Sequence, residues 1–575
     1  MTSVDELFKK PGLPSAPTKR KFEAPDAQEA YKATKLSHRD SPNGHANGVS
    51  IVDAPEDDED TEAGPELPPE DEEDDRFFDA GVTRDAADAL DYLDKQEDGE
   101  TYQEEKIDPA WLRRLAVSFE KKVSKNAQLR ARYEGDPQKF MASEADLDAE
   151  TKSWSLLSEH PELYLAFAES EALGMLVGLL AHENTDIAIG AIEIVSELLD
   201  EDVETEQEQW DALVRALLDA DLLDLLMSNL ARLDETNESD RSGVYHSMAV
   251  MESLASQQFV AERIGREKVL LWLCNRIRTP EKTLGQNKQY AAEVLQVLLQ
   301  TSPVLRKRLA VDLDGVDLFL QILAAYRKRD PQRDSPEEEY AENIFDALTC
   351  VVDEADGKAQ FVEAEGVELC LIMLKEGTFS KLRALRLLDH AVGGRGGPAT
   401  RVCVQVVEVA GLKTLFGMFK KKADSGTVEH LLGIFAALLR LLPGESSARI
   451  RTLAKFIPEN VTKLVQLRHE YARKVGLIDQ EIRQEQSALS PEEAEDRADE
   501  WFSRRLDGGL FCLQTIDTIL AWLVAEEPDA ARVVSKDVGG DAIKGSLQEQ
   551  LDGLDLGAEA DQDTRDMLTT LMGFL

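Results

Sequence analysis

EALGMLVGLL (171–180), ADLLDLLMSNL (220–230), EKVLLWLCNRI (267–277), DGVDLFLQIL (314–323), EGVELCLIML (365–374) and AGLKTLFGMF (410–419) repeat one pattern, a small or acidic lead followed by an apolar helix. The first apolar residues after the leads are Leu173, Leu222, Val269, Val316, Val367 and Leu412, at separations of 49, 47, 47, 51 and 45 residues. A steady spacing of this size, with a further apolar helix inside each unit, predicts an all-α solenoid of stacked helices. Armadillo and HEAT units run about 40–47 residues and tolerate longer loops. The long connections fall at 200–211, 234–242 and 328–339, all polar and rich in acids. One unit cannot bury its apolar face alone, so the array needs a cap at each end.

Working outward gives four parts: a leader at 1–75, an N-terminal helical cap at 76–168, armadillo-like repeats at 169–452 and a C-terminal helical cap and tail at 453–575. The expected fold is a right-handed superhelical solenoid with helical caps and a disordered acidic leader. Inside the repeats, IAIGAIEIVSELL (187–199) carries apolar residues at helical spacing, with Glu193 and Glu197 together on another face. Asn184, Thr185 and Asp186 just ahead supply capping oxygens. The stretches 382–391 and 431–442 read the same way. No alternating β-branched runs with hairpin turns stand out.

The chain of 575 residues carries 65 Lys+Arg against 112 Asp+Glu, a formal net charge of −47. Neutralising phosphates needs surplus Lys and Arg, so direct nucleic-acid binding is not expected. The leader differs from the body. Within 53–75, 14 of 23 residues are acidic and none basic, too polar to offset the entropy of ordering. Residues 1–75 hold 20 acids and 8 bases, leaving a net −35 on the remaining 500. No apolar run approaches the roughly 18 residues of a membrane span; 431–442 is 12 long and contains Arg440. The polar start has no signal-peptide stretch. Membrane association is not expected, and synthesis in the cytosol is.

The chemistry of catalysis is hard to find. There is no GxxxxGK[ST] phosphate cradle, no HExxH helix and no GxSxG elbow. Gly393, Gly394, Gly396 and Gly397 surround Arg395, but no strand precedes them and no Lys-Ser/Thr follows, so an inter-helix loop is the simpler reading. His390 could be a ligand or base, yet no Cys or His lies at matching spacing, which favours a packed histidine. Cys274, Cys350, Cys370, Cys403 and Cys512 are odd in number, lack CxxC spacing and sit among apolar residues, as buried thiols do. No enzyme activity, cofactor or metal is expected.

A stacked array offers a long surface instead. In armadillo-type arrays the last helix of each unit lines the groove. Glu193, Glu197, Glu252, Glu293, Asp346 and Asp389 fall on those helices and are the candidates for contacting Lys or Arg of a bound peptide. The Trp-x-x-x-Asn ladder of nuclear-import adaptors is absent, since Leu, Ser, Val, Arg, Arg and Glu follow the six tryptophans at that offset. In the leader, Lys19, Arg20 and Lys21 form a short basic cluster of the kind import signals use.

Several stretches also carry a resemblance. SFEKKVSKNAQLRARYEGDPQKFMASEADLD (118–148), HENTDIAI (182–189), NLARLDE (229–235) and LDGVDLFLQILAAYRKRDP (313–331) precede AENIFDAL (341–348), LRALRLLDHAV (382–392) and RRLDGGLFCLQTI (504–516). With TKRKFE in the leader, they run in order along a sequence that resembles the beta-catenin-like protein 1 family of nuclear, spliceosome-associated armadillo proteins. The resemblance implies a non-enzymatic member of the Prp nineteen-type complex that binds basic, import-signal-like segments of splicing proteins, a Myb-related subunit among them. It implies nuclear localisation and an import receptor acting through Lys19, Arg20 and Lys21. A homodimer stays open, and a nuclear-import adaptor for basic cargo is the alternative function.

Overall fold

The computed structural model describes residues 106–554, except 267 and 457, and residues 559–575. The leader, with Lys19, Arg20, Lys21 and the acidic tract 53–75, lies outside the described residues. The described residues fall into two units, a larger one from Leu115 to Leu575 and a smaller one of which 106–114 are described. Of the smaller unit only the lead into one helix is described, where the Asp108 side chain accepts from the Ala110 and Trp111 amides. The larger unit carries the repeats.

Its helices come in threes. The triplet Gln207–Asp219, Leu222–Arg232, Glu238–Ala255 leads into Gln258–Arg266, Val269–Arg278, Gln286–Thr301. Next come Pro303–Asp312, Gly315–Leu323, Pro336–Asp353, then Ala355–Glu363, Gly366–Glu376, Phe379–Val392, then Gly396–Glu408, Gly411–Lys420, Ser425–Leu441. Three helices per unit is the armadillo arrangement rather than the two of HEAT. An earlier triplet ends in Thr185–Leu198 and takes its first short helix, Tyr164–Ala168, from the stretch read as the cap. The third helices are α1 (Thr185–Leu198), α2 (Glu238–Ala255), α3 (Gln286–Thr301), α4 (Pro336–Asp353), α5 (Phe379–Val392) and α6 (Ser425–Leu441). Each packs on the next, forming one ladder. Met141–Lys152 packs on α1 at one end and Leu510–Glu526 on α6 at the other. The first helices from Gln258–Arg266 onward form a second row.

The six apolar residues that set the repeat register are all buried. Just before the middle helix of five successive triplets stands a residue in the left-handed region: Asp221, Lys268, Asp314, Glu365 and Ala410, with φ between 51° and 64°. Their separations of 47, 46, 51 and 45 residues restate the repeat in backbone form. The turn is sharp because the first helix must double back onto the second. At Gly366 a Cβ would collide with the Phe361 ring, so no side chain fits at that position. A non-glycine residue in this conformation costs about 1 kcal/mol. Ala410→Gly should therefore raise stability by about 0.5–1 kcal/mol, since glycine's extra unfolded-state entropy offsets part of the relief. A higher urea midpoint with an unchanged helical signal checks this.

The polar connections are shorter than the sequence suggests, because helices reach back into them. Gln207–Asp219 starts within 200–211 through a capping box of Glu206 and Gln209. Glu238–Ala255 and Pro336–Asp353 start within 234–242 and 328–339, where the Asn237 and Ser335 side chains accept from the Ser239 and Glu338 amides. Acids in a first turn, such as Glu337 to Glu339, also complement the positive helix end. As the spacing predicts, Asn184 caps α1, accepting from Asp186 N at 3.1 Å. At the N-terminal end, the fully buried Trp154 packs edge-on to Phe119 and against Phe167.

Candidate acidic docking surface

All six acids singled out in the sequence lie on the ladder: Glu193 and Glu197 on α1, Glu252 on α2, Glu293 on α3, Asp346 on α4 and Asp389 on α5. Only Glu197 is exposed; the other five are half-buried.

Three of these acids already hold partners on the next ladder helix. Glu193 accepts from Ser242 Oγ at 3.4 Å and faces His246 Nε2 at 3.8 Å, both on α2. Burial pushes the Glu193 carboxyl above its ordinary value and lowers His246 to about 4. His246 is thus neutral near pH 7 and contributes no cation to Glu193. Glu252 accepts from Tyr290 Oη on α3 at 2.6 Å. Asp389 accepts from His430 Nδ1 on α6 at 3.1 Å.

The α4–α5 seam is different in kind. Arg386 Nη1 donates to Asp346 at 3.0 Å, and Arg383 pairs with Glu342. Burial raises the Asp346 carboxyl while Arg386 opposes that rise. An acid bound by a guanidinium has little charge left to offer a second cation. Asp346 is thus already paired with a cation across the α4–α5 seam. Sequence reasoning misses the arginines, although LRALR (382–386) sets them one repeat beyond Glu342 and Asp346, a spacing that marks facing positions on consecutive ladder helices.

The other singled-out groups have structural roles. His390 Nδ1 bonds Asp353 at 3.1 Å, tying α5 to α4, so it is a packed histidine. Gly393 to Arg395 form an inter-helix loop and Gly396 opens the next helix; Gly394 and Gly396 have φ 82°, and Gly394 O accepts from Arg440 at 2.7 Å. All five cysteines are buried, and burial raises every thiol. Among the described residues no group of three His, Cys, Asp or Glu is arranged to hold a metal ion. No single described helix is long and apolar enough to cross a membrane.

One stretch that carries the resemblance, NLARLDE, is a joint between repeats. In NLARLDE, the fully buried Asn229 donates to Leu180 O at 2.7 Å, and Arg232 donates to His182 O at 2.6 Å. Glu235 takes a two-pronged bond from Arg276 at 2.6 and 2.9 Å and a further bond from Asn287 at 3.0 Å. Such joints fix the angle between units, which sets the course of the ladder. A family model described as "Catenin-beta-like, Arm-motif containing nuclear" matches residues 87–547. The chain belongs to the catenin-beta-like family. A beta-catenin-like protein 1 homolog of Schizosaccharomyces pombe is 38% identical over 461 residues, covering 79% of this chain and 80% of its own. Human beta-catenin-like protein 1 is 34% identical over 432 residues, covering 72% of this chain and 76% of its own. A chain of the SYS-1/POP-1 crystal complex superposes with a TM-score of 0.48 at 9% identity, over 79% of this chain and 75% of that one. For this catenin-beta-like protein, family membership supplies the armadillo fold and the description of the family as nuclear.

Proposed function

We propose that this protein is a non-enzymatic nuclear scaffold of the spliceosome, within a Prp nineteen-type complex, and that its ladder holds basic, import-signal-like segments of splicing proteins. The observation that carries the reading is the continuity of the acidic row: Glu193, Glu197, Glu252 and Glu293 occupy three consecutive ladder helices, ahead of the seam where Arg383 and Arg386 interrupt it. A Lys/Arg-rich segment lying across α1 to α3 would meet carboxylates from successive repeats, and a surface of one sign draws such segments in from solution. Membership of a family described as nuclear supports the location. Lys19, Arg20 and Lys21 are the residues proposed to engage an import receptor, and a Myb-related subunit is the proposed splicing partner.

The alternative, an adaptor that hands basic cargo to an import receptor, is favoured only by that leader cluster. Affinity purification of the tagged protein from nuclear extract, with mass spectrometry, separates the two. Spliceosomal proteins should co-purify at moderate salt and be lost from a variant with Glu193→Gln and Glu197→Lys. Import receptors with diverse basic cargo and no splicing proteins would overturn the scaffold reading.

A further inference from the structure

The connections between the middle and third helices of the last four triplets, with the turns that flank them, reverse the charge of the chain. Over 276–288, 324–336, 372–383 and 413–424 stand 15 Lys and Arg against five Asp and Glu, in a protein whose acids outnumber its bases by 47. Consecutive middle helices touch, which sets the four connections side by side. Bonds join neighbours: Tyr340 Oη donates to Ile277 O at 3.0 Å, the Phe379 amide donates to Asp330 at 3.0 Å, and Lys328 pairs with Glu376 at 3.1 Å. We propose that this basic edge binds an Asp/Glu-rich segment of a partner protein. It contains none of the six ladder acids, and the proposal does not depend on docking at the ladder.

Part of the charge has a structural use. Arg276, Arg278, Lys375 and Lys420 stand in the last turns of middle helices, where cations complement the negative helix end. Arg276 is also held by Glu235 and Glu281, Arg329 by Glu337 and Lys420 by Glu459. The remainder is surplus. Lys282, Arg327, Arg333, Lys375, Lys421 and Lys422 are exposed and form no ion pair among the described residues. Lys282, Arg333, Lys421 and Lys422 lie outside the helices, so the macrodipole does not account for them. Exposed charges are felt over about 8 Å at physiological salt, so an approaching segment meets this local surplus rather than the net charge of the chain.

The fine structure of the edge favours a peptide over the other common polyanion, a nucleic acid. A phosphate backbone carries one charge per nucleotide without a gap, and Glu281, Asp330, Asp334, Glu376 and Asp424 stand among the cations. A peptide carries its carboxylates at chosen positions and meets those acids with neutral residues. Single strands also bind by stacking bases on exposed rings. The aromatic residues of the four connections, Tyr326, Phe379, Phe416 and Phe419, are all buried.

The test titrates three probes by fluorescence anisotropy: a synthetic Asp/Glu-rich peptide, the same peptide with Asn and Gln at those positions, and a single-stranded RNA of equal charge. Each is added to the full-length protein and to a variant lacking 53–75, whose acids would otherwise compete with the probes. The Asp/Glu-rich peptide should bind, more weakly as salt rises, and the neutral peptide should not. Lys282→Gln, Arg327→Gln, Lys421→Gln and Lys422→Gln together should weaken that binding about tenfold at low salt. The melting temperature should hold, because none of the four side chains has an ion-pair partner to lose. A Lys/Arg-rich peptide should bind the fourfold variant no more weakly than before, which separates the edge from the ladder. No binding of the Asp/Glu-rich peptide to either chain, or equal binding by the fourfold variant, overturns the proposal and leaves the ladder reading standing. Tighter binding of the RNA than of the peptide also overturns it, and makes the edge a nucleic-acid surface.

Discussion

Asp517→Ala should destabilise the C-terminal part of the protein by about 3–5 kcal/mol, the cost of leaving one partner of a buried ion pair alone. Asp517, on Leu510–Glu526, is fully buried, and Arg468, on Pro458–Gln486, is nearly so. Arg468 Nε donates to one carboxylate oxygen at 2.5 Å and Nη2 to the other at 3.4 Å. Burial raises the Asp517 carboxyl, and Arg468 pulls it back down. Removing the carboxylate strands a buried guanidinium without its partner. Arg468→Leu combined with Asp517→Leu should cost much less than either single change, because no buried charge remains. Hydrogen exchange locates the effect. Solenoid stability is transmitted chiefly between neighbours, so amides of 458–526 should lose protection while those of α1 and α2 keep it. A single substitution costing under about 1 kcal/mol would mean that the pair behaves as a surface salt bridge.

Lys358→Met should cost about 2–3 kcal/mol, because it removes a charged donor that closes two helix ends at once. Lys358 is buried, and its Nζ donates to Val352 O at 2.6 Å and to His390 O at 2.8 Å. Both carbonyls lie in the final turn of a ladder helix, α4 and α5, where helical backbone leaves acceptors unmatched and the macrodipole favours a cation. Methionine keeps the aliphatic stem and loses only the ammonium, so the effect is one of hydrogen bonding and charge, not of cavity formation. Amide protection should fall on both sides of the α4–α5 seam. Unchanged stability would show that water serves these carbonyls equally well.

The repeat could be read from the sequence because its signal is local and periodic. Each unit restates an acidic or small lead and an apolar helix, and every residue chosen to mark the period, from Leu173 to Leu412, is buried. The cap at Asn184 was legible for the same reason: its side-chain bond spans two residues. The left-handed turns fall on or beside the leads, yet they were hidden because Asp221, Lys268, Asp314, Glu365 and Ala410 are none of them the glycine that ordinarily signals a positive φ. The seam contacts join residues some forty apart, so Arg386 with Asp346 and His430 with Asp389 emerge only once the helices are stacked.

The most direct test of the docking surface is a titration of a Lys/Arg-rich peptide into the full-length protein at low and physiological salt, repeated with Glu193→Gln and Glu197→Lys together. Glutamine at 193 can keep the bond from Ser242, and Glu197 is exposed, so the fold and melting temperature should not change. Docking on the carboxylate row predicts binding that weakens steeply as salt rises, and about fivefold weaker binding by the variant at low salt. Affinity that ignores both the salt and the substitutions would contradict it, and would place basic-segment recognition away from the ladder.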